Sequence, residues 1–175
     1  MALQYALSTH LHVVRTRTFH HTGPRRGAAF AESSFARQIA EIEAGLRPAV
    51  LEVGNLDAVR DFTDVRDVVR AYWALLEKGE VGQVYNVCSG KGVRIGELLD
   101  SLITHSGAHV EVRVDPDRLR STDVPAMVGD FGRLHAATGW QPKVPLSRTL
   151  GDLLDHWRER VQTTASPSPP RSGRP

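Results

Sequence analysis

Apolar positions recur at helical spacing along much of the chain. Between 33 and 45, Phe35, Ile39 and Ile42 are separated by four and three residues, which predicts an amphipathic helix. Ser33 or Ser34 is its expected N-cap. Further patterns of apolar residues and helix-ending glycines predict helices over residues 2–9, 65–78, 95–105, 132–138 and 147–161.

Short apolar segments bounded by turn residues predict the strands. These segments cover residues 11–17, 49–53, 82–88 and 110–114. The segment from 57 to 63 is interpreted as an exposed loop that leads to Asp64, the expected N-cap of the helix at 65–78. Because strands and helices alternate along the chain, the fold is predicted to be α/β.

The charges of the chain balance outside its last residues. The formal net charge of +2 comes from Arg171 and Arg174 in the Pro- and Ser-rich segment 163–175, so 1–162 holds 20 basic and 20 acidic residues. We therefore expect no nucleic-acid binding, and we expect 163–175 to be a disordered tail. No apolar run approaches the roughly 20 residues that cross a bilayer, and the single Cys88 excludes an internal disulfide. A cytoplasmic protein without membrane contact is expected.

Two local motifs favour ordinary structural roles. The glycines from Gly90 to Gly96 lie between a predicted strand and a helix, but their G-x-G-x-x-x-G spacing is typical of a turn rather than of a dinucleotide loop. His20 and His21 are adjacent on a strand and project to opposite faces, so no metal site is expected. None of the three tyrosines is followed by a lysine four residues later, and no catalytic residue is predicted.

Eight segments of the chain, taken in order, resemble the extended short-chain dehydrogenase/reductases. They are RTFHHTGP at 17–24, FARQIAEI at 35–42, VGNL at 53–56, RDFTDVRD at 60–67, YNVCSG at 85–90, DPDRLRSTDV at 115–124, GD at 129–130 and TGWQP at 138–142. The resemblance is strongest to the branch of GDP-mannose 4,6-dehydratases and GDP-4-keto-6-deoxymannose reductases. Within that branch, the run FARQIAEIEAG at 35–45 favours the reductases.

This resemblance implies a particular domain content. Residues 1–162 would form the last strands of a Rossmann-like sheet together with the small α/β substrate-binding domain. The amino-terminal half of the family, with its glycine-rich NADP(H) turn and catalytic Tyr-x-x-x-Lys, has no counterpart in the sequence. NADP(H) is therefore the expected cofactor of the intact enzyme, and this chain alone is expected neither to bind it nor to turn over. The strands at 11–17 and 82–88 should share a parallel sheet, whose open edge would favour self-association or homo-oligomer formation.

The resemblance also implies a site for a GDP-linked sugar. Arg60 and Arg120 match the arginines that bind the diphosphate, a role that suits the forked guanidinium group. Asp123 matches the acid that accepts hydrogen bonds from the ribose hydroxyls. The other residues expected around the substrate are His20, Phe35, Arg37, Val53 and Asn55. The segment expected beside nicotinamide is Phe19, His20 and His21.

Three functions remain open on the sequence alone. The first is the substrate-binding half of an NADP-dependent GDP-4-keto-6-deoxy-D-mannose reductase. The second is the corresponding half of a GDP-mannose 4,6-dehydratase. The third belongs to another class, a nucleotide-binding or interaction module without chemistry of its own.

Overall fold

The structure is a computed structural model that describes residues 4–5, 8, 11–119 and 124–165. Within these residues, the helices are α1 (Ala31–Glu43), α2 (Val65–Lys78), α3 (Ile95–Ser106), α4 (Gly132–Thr138) and α5 (Leu146–Ala165). The strands are β1 (Arg15–Thr18), β2 (His20–Thr22), β3 (Val50–Val53), β4 (Val59–Asp64), β5 (Val84–Val87), β6 (Gly92–Arg94), β7 (Glu111–Val114) and β8 (Ala126–Met127). A 3-10 turn covers Pro116–Arg118. The alternation of the elements is that of an α/β fold, as predicted.

The first sheet consists of β1 and β5, which run parallel. Arg15 lies opposite Val84 and Thr18 lies opposite Val87. The parallel pairing predicted for these two segments is confirmed. The first strand is shorter than predicted, because it begins at Arg15 and the exposed Leu11 lies outside it.

The second sheet is centred on β4, which pairs in parallel with β2 and antiparallel with β6. The short β8 pairs with the first residues of β4. The prediction of an exposed loop over 57–63 is wrong, since Arg60, Asp61 and Thr63 are buried in this strand. Charged side chains can be buried in a strand when hydrogen bonds satisfy them, as they do for Arg60 and Asp61.

The third sheet pairs β3 in parallel with β7, from Val50 opposite Glu111 to Val53 opposite Val114. The pairing continues one residue further, where Asp115 N–H donates to the carbonyl oxygen of Val53 at 2.8 Å. This bond places the 3-10 turn beside the residues that follow β3. The ends of β3 and β7 therefore form one border of the candidate site.

Two separate groups of buried side chains stabilise the fold. The larger group joins β3 and β4 to α1, α3 and α5, and includes Ile39, Leu51, Leu99 and Trp157. The smaller group joins α2 and α4 to β5, and Trp140 packs within it. Burial of each large aliphatic or aromatic side chain stabilises the folded state by about 1.5–3 kcal/mol.

The start of α2 connects these two groups. The Asp64 side chain caps α2, and its Oδ2 accepts a hydrogen bond of 2.7 Å from Thr149 Oγ1 on α5. One turn later, Asp67 Oδ2 accepts bonds from the backbone N–H groups of Lys143 and Val144 at 2.7 and 2.9 Å. The predicted N-cap role of Asp64 is confirmed, and the same carboxylate holds α5 in place.

The helix ends differ from the predictions in two places. Neither serine caps α1, because the helix begins two residues before Ser33, whose hydroxyl donates to the carbonyl oxygen of Arg26 at 2.6 Å and accepts from Trp157 Nε1 at 2.9 Å. At the other end of the chain, α5 continues to Ala165, past the predicted end at 161, because no helix-breaking residue precedes Pro167. The prediction of a disordered tail over 163–175 is wrong for residues 163–165, which belong to α5. The rest of that tail, from 166 to 175, and most of the helix predicted over 2–9 lie outside the described residues.

Candidate functional site

A cavity with a volume of about 570 Å³ lies between β2, β4, the start of α1 and the segments that follow β3 and β7. Its volume is within the range of about 300–1,000 Å³ that is typical of small-molecule sites. Four of the residues predicted to bind substrate line it, namely His20, Phe35, Asn55 and Arg60. The fold thus brings together residues that are up to 40 positions apart in the sequence.

Arg60 lies in the wall of this cavity with only 9% of its surface exposed. Its Nη1 donates hydrogen bonds to two backbone carbonyl oxygens, of Val59 at 2.8 Å and of Val124 at 2.7 Å. These bonds fix the direction of the guanidinium group before a ligand binds. A fixed guanidinium group in a cavity wall is suited to charge-assisted hydrogen bonds with phosphate oxygens.

Asn55 and Phe35 border the cavity in different ways. Asn55 Oδ1 accepts a hydrogen bond of 2.9 Å from the backbone N–H of Asp57, which shapes the turn after β3. Phe35 is almost fully buried, and with Phe62 of β4 it contributes apolar surface. The site therefore combines an apolar wall with a few fixed polar groups, as ligand cavities usually do.

Two of the predicted substrate residues do not line the cavity. Val53 is fully buried in the larger core, directly before Gly54 of the cavity wall. Arg37 is the seventh residue of α1, where its Nε is 3.6 Å from Glu41 Oε1. Both residues lie close to cavity residues in the sequence. The family resemblance was drawn from whole segments, so it could not distinguish the residues that line the cavity from their neighbours.

The predicted Arg120 and Asp123 lie outside the described residues. The nearby Arg118, which sequence reasoning did not select, lines the cavity. Its guanidinium group is held by Asp115, with Nε 3.0 Å from Oδ2, and by Glu52, with Nη2 3.5 Å from Oε2. The signal that could have found Arg118 is its place in the same 115–124 segment as Arg120.

His20 and His21 project differently, as their adjacent positions on a strand predict. His20 lines the cavity, with its ring centroid 5.7 Å from that of Phe62. Burial lowers the pKa of His20, and the positive charges of Arg60 and Arg26 lower it further, which favours a neutral ring at neutral pH. His21 lies outside the cavity lining, and its Nδ1 is 3.2 Å from the carbonyl oxygen of Phe19, which also lies outside the lining.

Glu32 is a cavity residue that sequence reasoning missed. It lies in the first turn of α1 and is only 3% exposed. Burial raises the pKa of Glu32, while the positive charge of Arg26 and side-chain hydrogen bonds with Thr22 and Arg26 lower it. An acid in the first turn of a helix is common and carries no sequence signal of a binding role.

Asp61, next to Arg60 on β4, was also missed. It is fully buried, and its Oδ1 accepts from the N–H and the hydroxyl of Ser89 at 2.7 and 2.6 Å. Its Oδ2 accepts from the N–H groups of Gly90 and Gly129 at 2.9 and 3.1 Å. The carboxylate therefore holds the turn before β6 and the segment after β8 against the strand that carries Arg60.

The part of the chain that the structure describes holds no group of three or more residues suited to bind a metal ion. No helix in the same residues is long and apolar enough to span a bilayer.

Comparison with known proteins identifies related enzymes. The family model for GDP-mannose 4,6 dehydratase matches residues 1–153. The chain is 40% identical over 162 residues to a GDP-6-deoxy-D-mannose reductase of Pseudomonas aeruginosa, an alignment that covers 93% of this chain and 53% of the reductase. It is 26% identical over 193 residues to a GDP-mannose 4,6-dehydratase of Vibrio cholerae, which covers 94% of this chain and 52% of that enzyme.

Solved structures give the same relationship. The structure of RMD from Pseudomonas aeruginosa in complex with NADPH matches with a TM-score of 0.87 over 91% of this chain and 53% of the solved chain, at 40% identity. A UDP-glucose 4-epimerase of Thermotoga maritima, solved with UDP-glucose, matches with a TM-score of 0.78 over 90% of this chain and 50% of the epimerase, at 27% identity. The chain spans about half the length of these relatives. It belongs to the GDP-mannose 4,6-dehydratase family of the extended short-chain dehydrogenase/reductases.

Proposed function

We propose that the chain is the substrate-binding half of an NADP-dependent GDP-4-keto-6-deoxy-D-mannose reductase. In this role the chain binds the GDP-linked sugar. The nicotinamide cofactor and the acid/base tyrosine and lysine belong to the other half of the enzyme. NADP(H) would supply the hydride that reduces the sugar ketone, and the substrate half would hold that ketone in position.

The observation that carries the proposal is the cavity bordered by two oriented arginines. Arg60 and Arg118 both line it, and each guanidinium group is held by other protein groups. Two fixed guanidinium groups suit a diphosphate, because each can donate paired hydrogen bonds to phosphate oxygens. In the proposed function, Arg120 and Asp123 would add a further guanidinium group and the acceptor for the ribose.

The relatives support the reductase more than the dehydratase. The identity to the Pseudomonas aeruginosa reductase is 40%, against 26% to the Vibrio cholerae dehydratase. The solved reductase structure contains NADPH, which supports NADP(H) as the cofactor of the intact enzyme. A GDP-mannose 4,6-dehydratase remains the second candidate, because the family model that matches the chain carries that description.

Nucleotide selectivity tests the proposal. Isothermal titration calorimetry of the 175-residue chain with GDP, UDP and dTDP would compare their dissociation constants. We expect GDP to bind at least about tenfold more tightly than UDP or dTDP, a difference of about 1.4 kcal/mol. A UDP preference would point to the substrate class of the solved epimerase. No binding of any of the three nucleotides would contradict a nucleotide-sugar function.

A further inference from the structure

The segment from 124 to 129 is attached to β4 at both of its ends. At one end, the guanidinium group of Arg60 donates a hydrogen bond of 2.7 Å to the carbonyl oxygen of Val124. At the other end, Gly129 N–H donates to Asp61 Oδ2 at 3.1 Å. Between these ends, β8 pairs with the first residues of β4. A carbonyl oxygen that orients Arg60 therefore belongs to a segment that Asp61 helps to hold.

Burial of apolar surface does little to keep this segment in place. Its side chains Val124, Met127 and Val128 are each more than 40% exposed, and both residues of β8 are exposed. A segment with few buried apolar contacts depends on its hydrogen bonds and opens more readily than a core element. The attachment at Asp61 therefore affects the position of the whole segment.

The Asp61 carboxylate is a fixed point in the protein interior. It is fully buried, and besides Gly129 it accepts hydrogen bonds from Ser89 and Gly90. Gly129 approaches so closely that a Cβ atom added there would lie 2.6 Å from Cys88 Sγ. A side chain at position 129 would therefore push the segment away from Cys88 and lengthen the bond to Asp61.

We propose that Asp61 is a positioning residue for the diphosphate of the bound nucleotide. By holding Gly129, it keeps the carbonyl oxygen of Val124 where that oxygen can orient the guanidinium group of Arg60. Asp61 does not line the cavity, whereas Arg60 does, so the effect on the ligand passes through Arg60. The inference rests on the proposed function, since it assumes that a nucleotide diphosphate binds to Arg60.

The charge of Asp61 alone makes the opposite prediction. A carboxylate beside a diphosphate site repels the ligand, so replacement of Asp61 by a neutral residue would strengthen binding. A positioning role predicts weaker binding, because a guanidinium group that is no longer held must be ordered when the ligand binds. The direction of the change in affinity in Asp61→Asn separates these two effects.

A purely structural role makes a third prediction. It would lower the stability of the protein and either leave the GDP affinity of the folded protein unchanged or reduce it by the same factor whether or not Arg60 is present. The substitution Asp61→Asn keeps the size of the side chain but presents an NH₂ group to N–H donors that the carboxylate now binds. It therefore tests the attachment with little change in packing.

The experiment is a double-mutant cycle in GDP affinity, measured by titration calorimetry of the 175-residue chain well below the unfolding transition of every variant. It combines Asp61→Asn with Arg60→Ala. The control is Asp67→Asn, because Asp67 is equally buried and also accepts from backbone N–H groups, but it lies outside the cavity lining. Asp61→Asn should weaken GDP binding about tenfold, which corresponds to the conformational freedom of one arginine side chain. In the Arg60→Ala background the same substitution should change it less than about twofold. Asp67→Asn should leave GDP affinity unchanged.

A second variant reaches the same attachment without altering the carboxylate. Gly129→Ala places a methyl group against Cys88, so it should also weaken GDP binding, and only while Arg60 is present. Thermal unfolding of each variant identifies misfolded protein, and Gly129→Ala keeps the cycle valid if Asp61→Asn fails to fold.

Each outcome decides a separate point. Equal losses of affinity with and without Arg60, an unchanged affinity, or tighter binding in the folded variants would overturn the positioning role and leave the proposed function standing. An unchanged GDP affinity in Arg60→Ala would also overturn it, because Asp61 would then have no group through which to act. Failure of the unsubstituted chain to bind GDP would overturn the proposed function, and the role of Asp61 with it.

Discussion

The guanidinium group of Arg60 donates a hydrogen bond of 2.7 Å to the carbonyl oxygen of Val124. Val124 directly follows the 120–123 segment, in which Arg120 and Asp123 are predicted to contact the nucleotide. The next residue of β4, Asp61, accepts from Gly129 N–H at 3.1 Å. Two adjacent side chains of one strand therefore hold the segment from 124 to 129 at both ends.

Replacement of Arg60 should weaken GDP binding. Arg60→Ala removes the charge-assisted bonds proposed for the diphosphate and the bond to Val124, so GDP affinity should fall about ten- to a hundredfold. Arg60→Lys should restore only part of it, because an ammonium group cannot donate in a fork. Titration calorimetry measures the change, with the exposed Arg113→Ala of β7 as the control. Equal GDP affinity in Arg60→Ala and the unsubstituted chain would remove Arg60 from the site.

Replacement of Asp61 should destabilise the fold. Asp61→Ala leaves the N–H groups of Ser89, Gly90 and Gly129 without their acceptor, and we expect a loss of about 3 kcal/mol or more in the free energy of unfolding. Urea unfolding followed by circular dichroism measures the loss. Asp100→Ala, at an exposed position of α3, serves as the matched control. A loss below 1 kcal/mol would mean that water satisfies these donors equally well.

The stability of the protein should depend on pH through Asp64. Burial alone would raise the pKa of Asp64, but hydrogen bonds from Arg66 and Thr149 bring it below its ordinary value of 3.8. A carboxylate with a lowered pKa stabilises the folded state above its ordinary pKa, and this stabilisation is lost as the pH falls through the lowered value.

Urea unfolding between pH 7 and pH 2 tests this prediction. Asp64→Asn should be less stable than the unsubstituted chain at pH 7, and the difference should shrink below about pH 4 as the carboxylate of the unsubstituted chain is protonated. A difference that stays constant over this pH range would show that the charge of Asp64 does not contribute.

Apolar periodicity and glycine stops predicted most of the helices, whereas the parallel pairing of β1 with β5 was predicted from the resemblance to the family. The prediction failed for β4, because several residues buried in this strand are charged or polar. Arg60, Asp61 and Thr63 are buried in that strand, and hydrogen bonds to backbone groups from distant segments satisfy Arg60 and Asp61. Such bonds join residues up to 68 positions apart, and no local pattern encodes them.

The same limit applies to the candidate site. His20, Phe35, Asn55 and Arg60 were found through the resemblance to the family and not through their chemistry. Glu32 was missed because its burial depends on its contacts with Thr22 and Arg26, which precede the helix in the sequence. A single sequence does not reveal those contacts.

The exposed apolar surface of α2 should drive self-association. Val69, Trp73 and Leu76 are each more than 60% exposed, and within the described residues β1 pairs only with β5. Apolar patches and open strand edges favour association. The average mass measured by light scattering should therefore rise with concentration for the unsubstituted chain. In the double variant Trp73→Lys and Leu76→Glu this rise should be smaller. Leu46→Glu, at an isolated exposed position after α1, should leave that mass unchanged.

The chain alone should not catalyse reduction. It contains no tyrosine followed by lysine at the spacing of the family's acid/base pair, and substrate binding cannot replace that pair or the hydride donor. NADPH absorbance at 340 nm in the presence of a GDP-4-keto-6-deoxy sugar should stay constant with purified chain. Oxidation of NADPH that scales with chain concentration, in protein free of host reductases, would show a catalytic centre within these 175 residues.

The three tryptophans of the chain occupy three distinct surroundings. Trp157 lies in the larger core, Trp140 lies in the smaller one, and Trp73 lies on the surface of α2. Each core therefore carries its own intrinsic fluorophore, and variants that retain only Trp140 or only Trp157 would report the melting of each core separately. Because Asp64 joins α2 to α5 at the boundary between the cores, the two signals should change at the same denaturant concentration, as in a single cooperative unit.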